Sequence, residues 1–237
     1  MPSKGSVGSS GDLTLSSHIA LAIIGRGHVY LNGKRIEALE ALSEKNLHPL
    51  RLNHRDGLAL INNTSYTTAL ASIVVYESRK LSMIADLAGA LSTEAIGAST
   101  VAYDPAIHSL KPFKGQRIVS DNVRHLLRGS SLVNTSGIQD IYSVRCVPQV
   151  HGGIREALEH ASHIAKIELN SVTDNPVFIK NEETNLVEVM AGGNFHGESV
   201  GIAMDALAIA VSELANISDR RIATLLDDRF NNGLCAP

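Results

Sequence analysis

Residues 65–91 read SYTTALASIVVYESRKLSMIADLAGAL, and the apolar residues Leu70, Ile73, Val74, Leu81, Ile84, Leu87 and Leu91 recur along them at three- and four-residue steps. A strand would alternate every second residue, whereas steps of three and four keep one face of an α-helix apolar. No proline interrupts the run and no glycine precedes Gly89, so the spacing predicts one long helix. Further along, Ile154, Leu158, Ala161 and Ala165 keep the same spacing, as do Val200, Ala203, Leu207, Ala210, Leu214 and Ile217, which predicts two more long helices. Toward the N-terminus, Asp12-Leu13 leads into a helical pattern through Leu15, Ile19 and Ile23. Prolines 105, 112, 148 and 176 fall between the periodic segments, where a missing N–H costs a helix nothing. The exception is Val29 to Ile36, where Asn32-Gly33 between short alternating runs predicts a small type I′ hairpin.

Composition agrees with a mainly α protein. The chain has 237 residues, 44% of them hydrophobic, enough to bury a substantial core, while aromatic residues make up only 4% and Trp is absent. Ala and Leu recur, and both favour helix over strand. A net charge of -3 with scattered Lys and Arg gives no electrostatic footprint for nucleic acid or anionic lipid. Cys146 and Cys235 are a poor disulfide framework for this length, and no basic segment followed by an apolar run opens the chain, so a cytoplasmic location is expected. The apolar stretch Ala206 to Val211 is bounded by Asp205 and Glu213, far short of a bilayer span, so no membrane crossing is expected.

Four segments carry chemistry. The first, Gly5-Ser6-Val7-Gly8-Ser9-Ser10-Gly11, reads on composition alone as a flexible leader. The helical pattern behind it allows a second reading, a tight turn at a helix N-terminus, where unpaired N–H groups and the dipole favour developing negative charge. The segment has neither the glycine spacing of a serine-hydrolase elbow nor a phosphate-loop ending. In a sharp bend the unhindered Gly11 nitrogen can attack the Ser9 carbonyl, and dehydration of Ser10 then leaves an exocyclic methylene conjugated to the new ring. The second segment, Gly57 to Thr64, ends in the adjacent amides Asn62-Asn63, which cap the long helix and remain available for catalysis. The third, Gln139 to Cys146, spaces Gln139, Tyr142 and Arg145 three apart, near one face of a helical turn. Either they converge on one ligand, Arg clamping a carboxylate while Tyr exchanges a proton, or they are ordinary polar residues of a surface helix. The fourth, Gly192-Gly193-Asn194-Phe195-His196-Gly197-Glu198, reads as a Gly-rich pocket wall. No metal is expected, because His196 and Glu198 make no recognised ligand spacing and His151, His160 and His163 read as solvated helix residues.

In this order, and together with Asn170 to Pro176, the four segments resemble the aromatic amino acid lyase family, whose best-known members are histidine and phenylalanine ammonia-lyases. The resemblance implies a bundle of long near-parallel helices with a small β-hairpin, part of a fumarase/aspartase-like helical architecture. Residues 1–237 would be its central catalytic region, without the family's N- and C-terminal portions. It implies that Ser9-Ser10-Gly11 cyclises to 4-methylidene-imidazol-5-one with no external cofactor. Carried over by position, Asn62 steadies the electrophile, Arg145 holds the substrate carboxylate, Gln139 and Tyr142 line the site, and Phe195 borders the substrate ring. Ser9 stands where the family usually has Ala, Asn63 where Gly is usual and Ser65 where Gln is common.

Phe195-His196-Gly197-Glu198 is similar to the histidine branch, so the implied reaction is elimination of ammonia from histidine to give urocanate. A phenylalanine or tyrosine ammonia-lyase, an aminomutase using the same electrophile, and a catalytically silent scaffold are the alternatives. The resemblance also implies a small amino acid substrate and a homotetramer with sites shared between chains.

Overall fold

A computed structural model describes Gly5, residues 11–135 and residues 139–234; Ser9 and Ser10 lie outside the described residues. Helix α1 (Leu13–Ile23) is followed by a hairpin of β1 (His28–Leu31) and β2 (Lys34–Glu37) and by α2 (Ala38–Glu44) and α3 (Asp56–Ile61). Then come the long α4 (Ser65–Ala95), a 3-10 turn (Thr100–Tyr103), α5 (Pro105–Leu110), α6 (Lys114–Leu126) and the single turn α7 (Tyr142–Arg145). Helix α8 (Val147–Leu169), a second hairpin of β3 (Val177–Lys180) and β4 (Val187–Met190), and α9 (Glu198–Leu226) complete the order. The protein is thus mainly helical, and the three long helices follow the apolar periodicity. Asn32 (φ 51°) and Gly33 (φ 78°) both have positive φ, as a type I′ turn requires, and join β1 to β2 in antiparallel register. The β3–β4 hairpin was not anticipated; its strands are short and largely exposed, and no Asn-Gly signal joins them.

The chain forms two compact units, one from Met1–Ser72 with Ile164–Gly201 and the other from Ile73–His163 with Ile202–Pro237. In the second unit, three clusters give the helix directions. Val75 packs with Leu158, Ala161 and Leu207, Ala85 with Ile154 and Leu214, and Ala90 with Val147 and Ile217. Numbers rise along α4 and α9 while they fall along α8, so α8 runs antiparallel to the other two. Small residues on this seam let the backbones approach. At the crossing of α6 and α8, a Cβ on Gly115 would lie 2.3 Å from the Gly152 carbonyl, and one on Gly152 would lie 2.5 Å from the Gln116 Cα, so only glycine fits either place. Helix α4 stops in a Schellman-type cap, with Ala98 N–H on the Thr93 carbonyl and Gly97 at φ +65°. By length and hydropathy α4 and α9 reach the range of a bilayer span, but they share with α8 the clusters just described.

One polar cluster is built into this core. The Asp86 carboxylate accepts from His151 Nδ1 at 2.9 Å, from Asn122 Nδ2 at 2.8 Å and from Arg155 Nη2 at 2.5 Å. His151 is therefore not the solvated helix residue expected from sequence: it is 1% exposed, because its position on α8 faces α4 and finds an anion there. His160 and His163 are exposed, as expected. Burial by itself would raise the Asp86 carboxyl, but hydrogen bonds from His151 and Asn122 and the charge of Arg155 bring it below its usual value. A depressed carboxyl contributes stability above its unfolded value of about 3.9 that is lost as pH falls through the lower folded value. Asp86→Asn strands the Arg155 charge and is expected to lower stability by about 3 kcal/mol at neutral pH, read as a lower urea midpoint. The difference from the parent should shrink as pH falls below about 4, where the carboxylate of the unfolded chain protonates, and on down through the lower folded value.

Candidate functional site

In the first unit, the residues that follow the Ser9-Ser10-Gly11 tripeptide are fixed to the start of α4. Asp12 N–H donates to the Asn63 carbonyl at 2.9 Å, and the Asp12 carboxylate accepts from Thr67 N–H at 2.8 Å and from the Thr67 hydroxyl. Those donors belong to the first helical turn, which has no internal partner for its N–H groups, so a buried carboxylate there both caps the helix and has its charge offset. Asn63 caps as the sequence implied: its Oδ1 accepts from Ser65 N–H at 2.9 Å.

Gly11 has φ +98°, and a Cβ placed on it would lie 2.5 Å from Asn62 Oδ1. The Asn62 side-chain amide therefore lies directly against the glycine that would close the ring. Asn62 ends α3, with its N–H on the Leu58 carbonyl at 2.9 Å, which leaves its side chain free of any capping duty. Gly11, Asp12, Thr64, Thr67, Phe195, Gly197 and Gly201 line a cleft of about 230 Å³. Gly11 and Phe195 thus line one cleft.

The Gly-rich segment that presents Phe195 is tied down by the 170–176 stretch. Gly192 N–H donates to Asn175 Oδ1 at 2.7 Å, and Asn194 Nδ2 donates to the Val172 carbonyl at 3.0 Å. Asp174 is itself held by Arg55 at 2.6 Å, and the Arg55 guanidinium also stacks 4.7 Å from the Phe178 ring centroid. Thr64 donates to Glu168 Oε1 at 2.6 Å. His196 and Glu198 are exposed, and Glu198 N–H donates to His196 Nδ1 at 3.3 Å. Phe195 lines the cleft just described; His196 and Glu198 do not contribute to that wall.

Gln139, Tyr142 and Arg145 belong to the second unit. The expected helical turn covers only Tyr142–Arg145; Ile141 is extended (φ −64°, ψ 150°), and Gln139 precedes the helix. Gln139 and Arg145 therefore share a cleft of about 360 Å³ with Ser99, Asp140 and Gln149, while Tyr142, 71% exposed, lies on the wall of a neighbouring cleft. The Tyr142 ring remains in contact with Arg145, its centroid 5.2 Å from the guanidinium carbon. Asp140 fixes the approach to this turn by accepting Ser99 N–H at 2.8 Å. Among the described residues no group of His, Cys, Asp or Glu has the arrangement of a metal site.

Sequence reasoning missed Asp12, Thr67, Glu168 and the Arg55–Asp174 pair. Asp12 and Thr67 had a legible signal, since a carboxylate is the usual partner of a first-turn N–H, but 55 residues separate the two.

A helical chain with a positive-φ glycine against an amide side chain, and an aromatic ring in the cleft that the glycine lines, points to a class, and comparison with known proteins specifies it. The family described as "Aromatic amino acid lyase" matches residues 1–236, and the chain belongs to that family. Histidine ammonia-lyase of Symbiobacterium thermophilum is 43% identical over 234 residues, covering 98% of this chain and 45% of that protein. Among solved structures, histidine ammonia-lyase from Trypanosoma cruzi is 40% identical with a TM-score of 0.86, covering 100% of this chain and 44% of that one. Tyrosine aminomutase from Streptomyces globisporus is 34% identical with a TM-score of 0.89, covering 100% and 48%. The chain spans less than half the length of these relatives.

Replacing Asp12 with Ala removes the acceptor from both Thr67 donors. It should cost about 1–2 kcal/mol, measured as a lower thermal midpoint, with Asp12→Asn intermediate.

Proposed function

We propose that this chain is the central part of an ammonia-lyase that converts L-histidine to urocanate and ammonia, using 4-methylidene-imidazol-5-one derived from Ser9-Ser10-Gly11. The observation that carries the reading is the contact of the Asn62 amide with a positive-φ Gly11 in the cleft that also holds Phe195. That approach fits the group: ring closure through the Gly11 nitrogen favours a residue without a Cβ, and Gly11 has a φ of +98° that side-chain-bearing residues rarely adopt. When formed, the group supplies an electrophilic methylene carbon for the substrate amine.

The chain's own residues do the rest. Asn62 places an amide dipole beside the ring position, where it stabilises developing negative charge. Arg145 pairs with the substrate carboxylate through parallel N–H donors, and Gln139, in the same cleft, adds a donor and an acceptor. Phe195 borders the substrate ring, Tyr142 exchanges a proton, and His196 with Glu198 gives the segment its likeness to the histidine branch. The many exposed apolar residues of α4 and α9, among them Ile73, Ile84, Leu91, Ile202 and Ile209, support a homotetramer in which partner chains cover these faces and complete the sites. A cytoplasmic location accompanies this reading. The likeness to a tyrosine aminomutase favours one second reading, return of ammonia to the neighbouring carbon.

Intact mass and peptide mapping test the electrophile. Loss of two waters confined to the peptide containing Ser9 to Gly11 is expected, and an unmodified peptide makes the chain a silent scaffold. Ser10→Ala should abolish both the mass loss and turnover while leaving helical content unchanged; unaltered turnover would falsify the mechanism. Urocanate should be the fastest-released product, whereas a β-amino acid identifies the aminomutase and cinnamate or coumarate the phenylalanine or tyrosine branch.

A further inference from the structure

Among the described residues, six other than glycine have a positive φ, and five of them, Asn32, Asn46, Asn134, Asn185 and Asn232, are asparagine. Asparagine tolerates the left-handed region because its short amide bonds to the local backbone. The sixth is Arg55, at φ 75° and ψ −20°, where a long side chain has no such help. The backbone gives no reason for an arginine there; the side chain does.

That side chain grips one short segment at three points. Arg55 Nη2 donates to Asp174 Oδ2 at 2.6 Å and to the Pro176 carbonyl, and the guanidinium carbon lies 4.7 Å from the Phe178 ring centroid. A planar fork meets a carboxylate, a carbonyl and a ring face together, which an ammonium does not. The other oxygen of Asp174 accepts from Asn175 N–H at 2.7 Å, so Asn175 is fixed between two residues that Arg55 holds. Asn175 Oδ1 in turn accepts from Gly192 N–H, and the Val172 carbonyl accepts from Nδ2 of Asn194, the residue before Phe195.

The backbone of Arg55 serves the opposite wall. Arg55 is the N-cap of α3, and its carbonyl accepts from Leu58 and Ala59 N–H at 3.0 and 3.2 Å. Helix α3 has six residues and is capped at its far end by Asn62, whose amide lies against Gly11. One residue therefore starts the helix that carries Asn62 and clamps the segment that supports Phe195.

We propose that Arg55 is a positioning residue for the substrate ring: it ties the segment bearing Phe195 to the helix bearing Asn62 and so sets the width of the cleft lined by Gly11 and Phe195. The inference rests on the role given to Phe195 above. Without the clamp, Phe195 withdraws from the ring. Gln139 and Arg145 take no part in this chain of contacts, so carboxylate binding does not depend on it.

Hydrogen exchange on the assembled enzyme reads the tie without turnover. In Arg55→Gln, which removes the charge and the fork, the amides of 192–195 should exchange roughly tenfold faster than in the parent, and unchanged exchange there overturns the proposal. Turnover reads the consequence. The KM for histidine should rise roughly tenfold with kcat within about threefold, while the inhibition constant of glycine, which has the amine and carboxylate but no ring, should stay within about twofold. An unchanged KM, or equal rises in both constants, overturns the proposal. Asp174→Asn should reproduce the effect, and the double variant should be no worse than either single one, because both remove the same contact; additive losses overturn the proposal. If Arg55→Gln does not assemble, Asp174→Asn decides by the same measurements, and failure of both to assemble overturns the proposal. Phe195→Ala separates this inference from the reading beneath it. A raised KM there with none in Arg55→Gln defeats the role of Arg55 alone, whereas an unchanged KM in Phe195→Ala defeats the ring wall and the inference together.

Discussion

The apolar seam between α4, α8 and α9 is the constraint on which the rest depends. Its register is set by small and branched side chains, Ala85 and Ala90 against Ile154, Val147, Leu214 and Ile217, and close packing leaves little freedom to slide. The candidate residues sit at or beside helix ends. Asn62, Asn63 and Thr64 precede α4, Phe195 and Gly197 precede α9, Glu168 closes α8, and Arg145 leads into it. The candidate site residues thus gather at termini, where backbone groups lack intrahelical partners, while the helix middles of the second unit carry the apolar packing.

Two buried polar features show how the second unit satisfies groups that the seam cannot. Asp86 carries a full charge into the core and is answered by three donors from α6 and α8, so the cluster locks those helices to α4 in one relative rotation. Val144 offers only a carbonyl, which accepts from a backbone N–H at the end of α7 and from the Tyr103 hydroxyl at 3.0 Å. The first arrangement is electrostatic and senses acid through a carboxylate. The second is neutral throughout, and pH leaves it unchanged over the range in which the first responds.

The long helices and the first hairpin were legible because each depends on local pattern: a 3.6-residue period for the helices and Asn32-Gly33 for the turn. His151 was not, because its period on α8 says only that it faces inward, and the Asp86 that receives it lies 65 residues away. The helical turn expected from Gln139 to Arg145 is shorter for another reason: three-residue spacing implies a helical face only if the intervening backbone is helical, and Ile141 is extended, although Gln139 still shares a cleft with Arg145. The turn at Asn62 was read as a cap, yet Asn63 and Asp12 do the capping, and Asn62 is released to face Gly11. A sequence shows which residues are able to cap; only packing shows which one does.

The proposed cyclisation of the tripeptide would place its demands unequally on the three positions. Position 9 contributes a carbonyl carbon to ring closure, and its side chain takes no part, so Ser in place of Ala leaves the bond-forming atoms unchanged. Position 10 must lose a hydroxyl, which Ser provides. Position 11 must approach with its nitrogen unhindered, and at φ +98° any residue with a Cβ meets backbone strain and has to displace the Asn62 amide oxygen. The departure from the family at Ser9 therefore falls where the chemistry is permissive, and the position that permits no departure keeps its glycine.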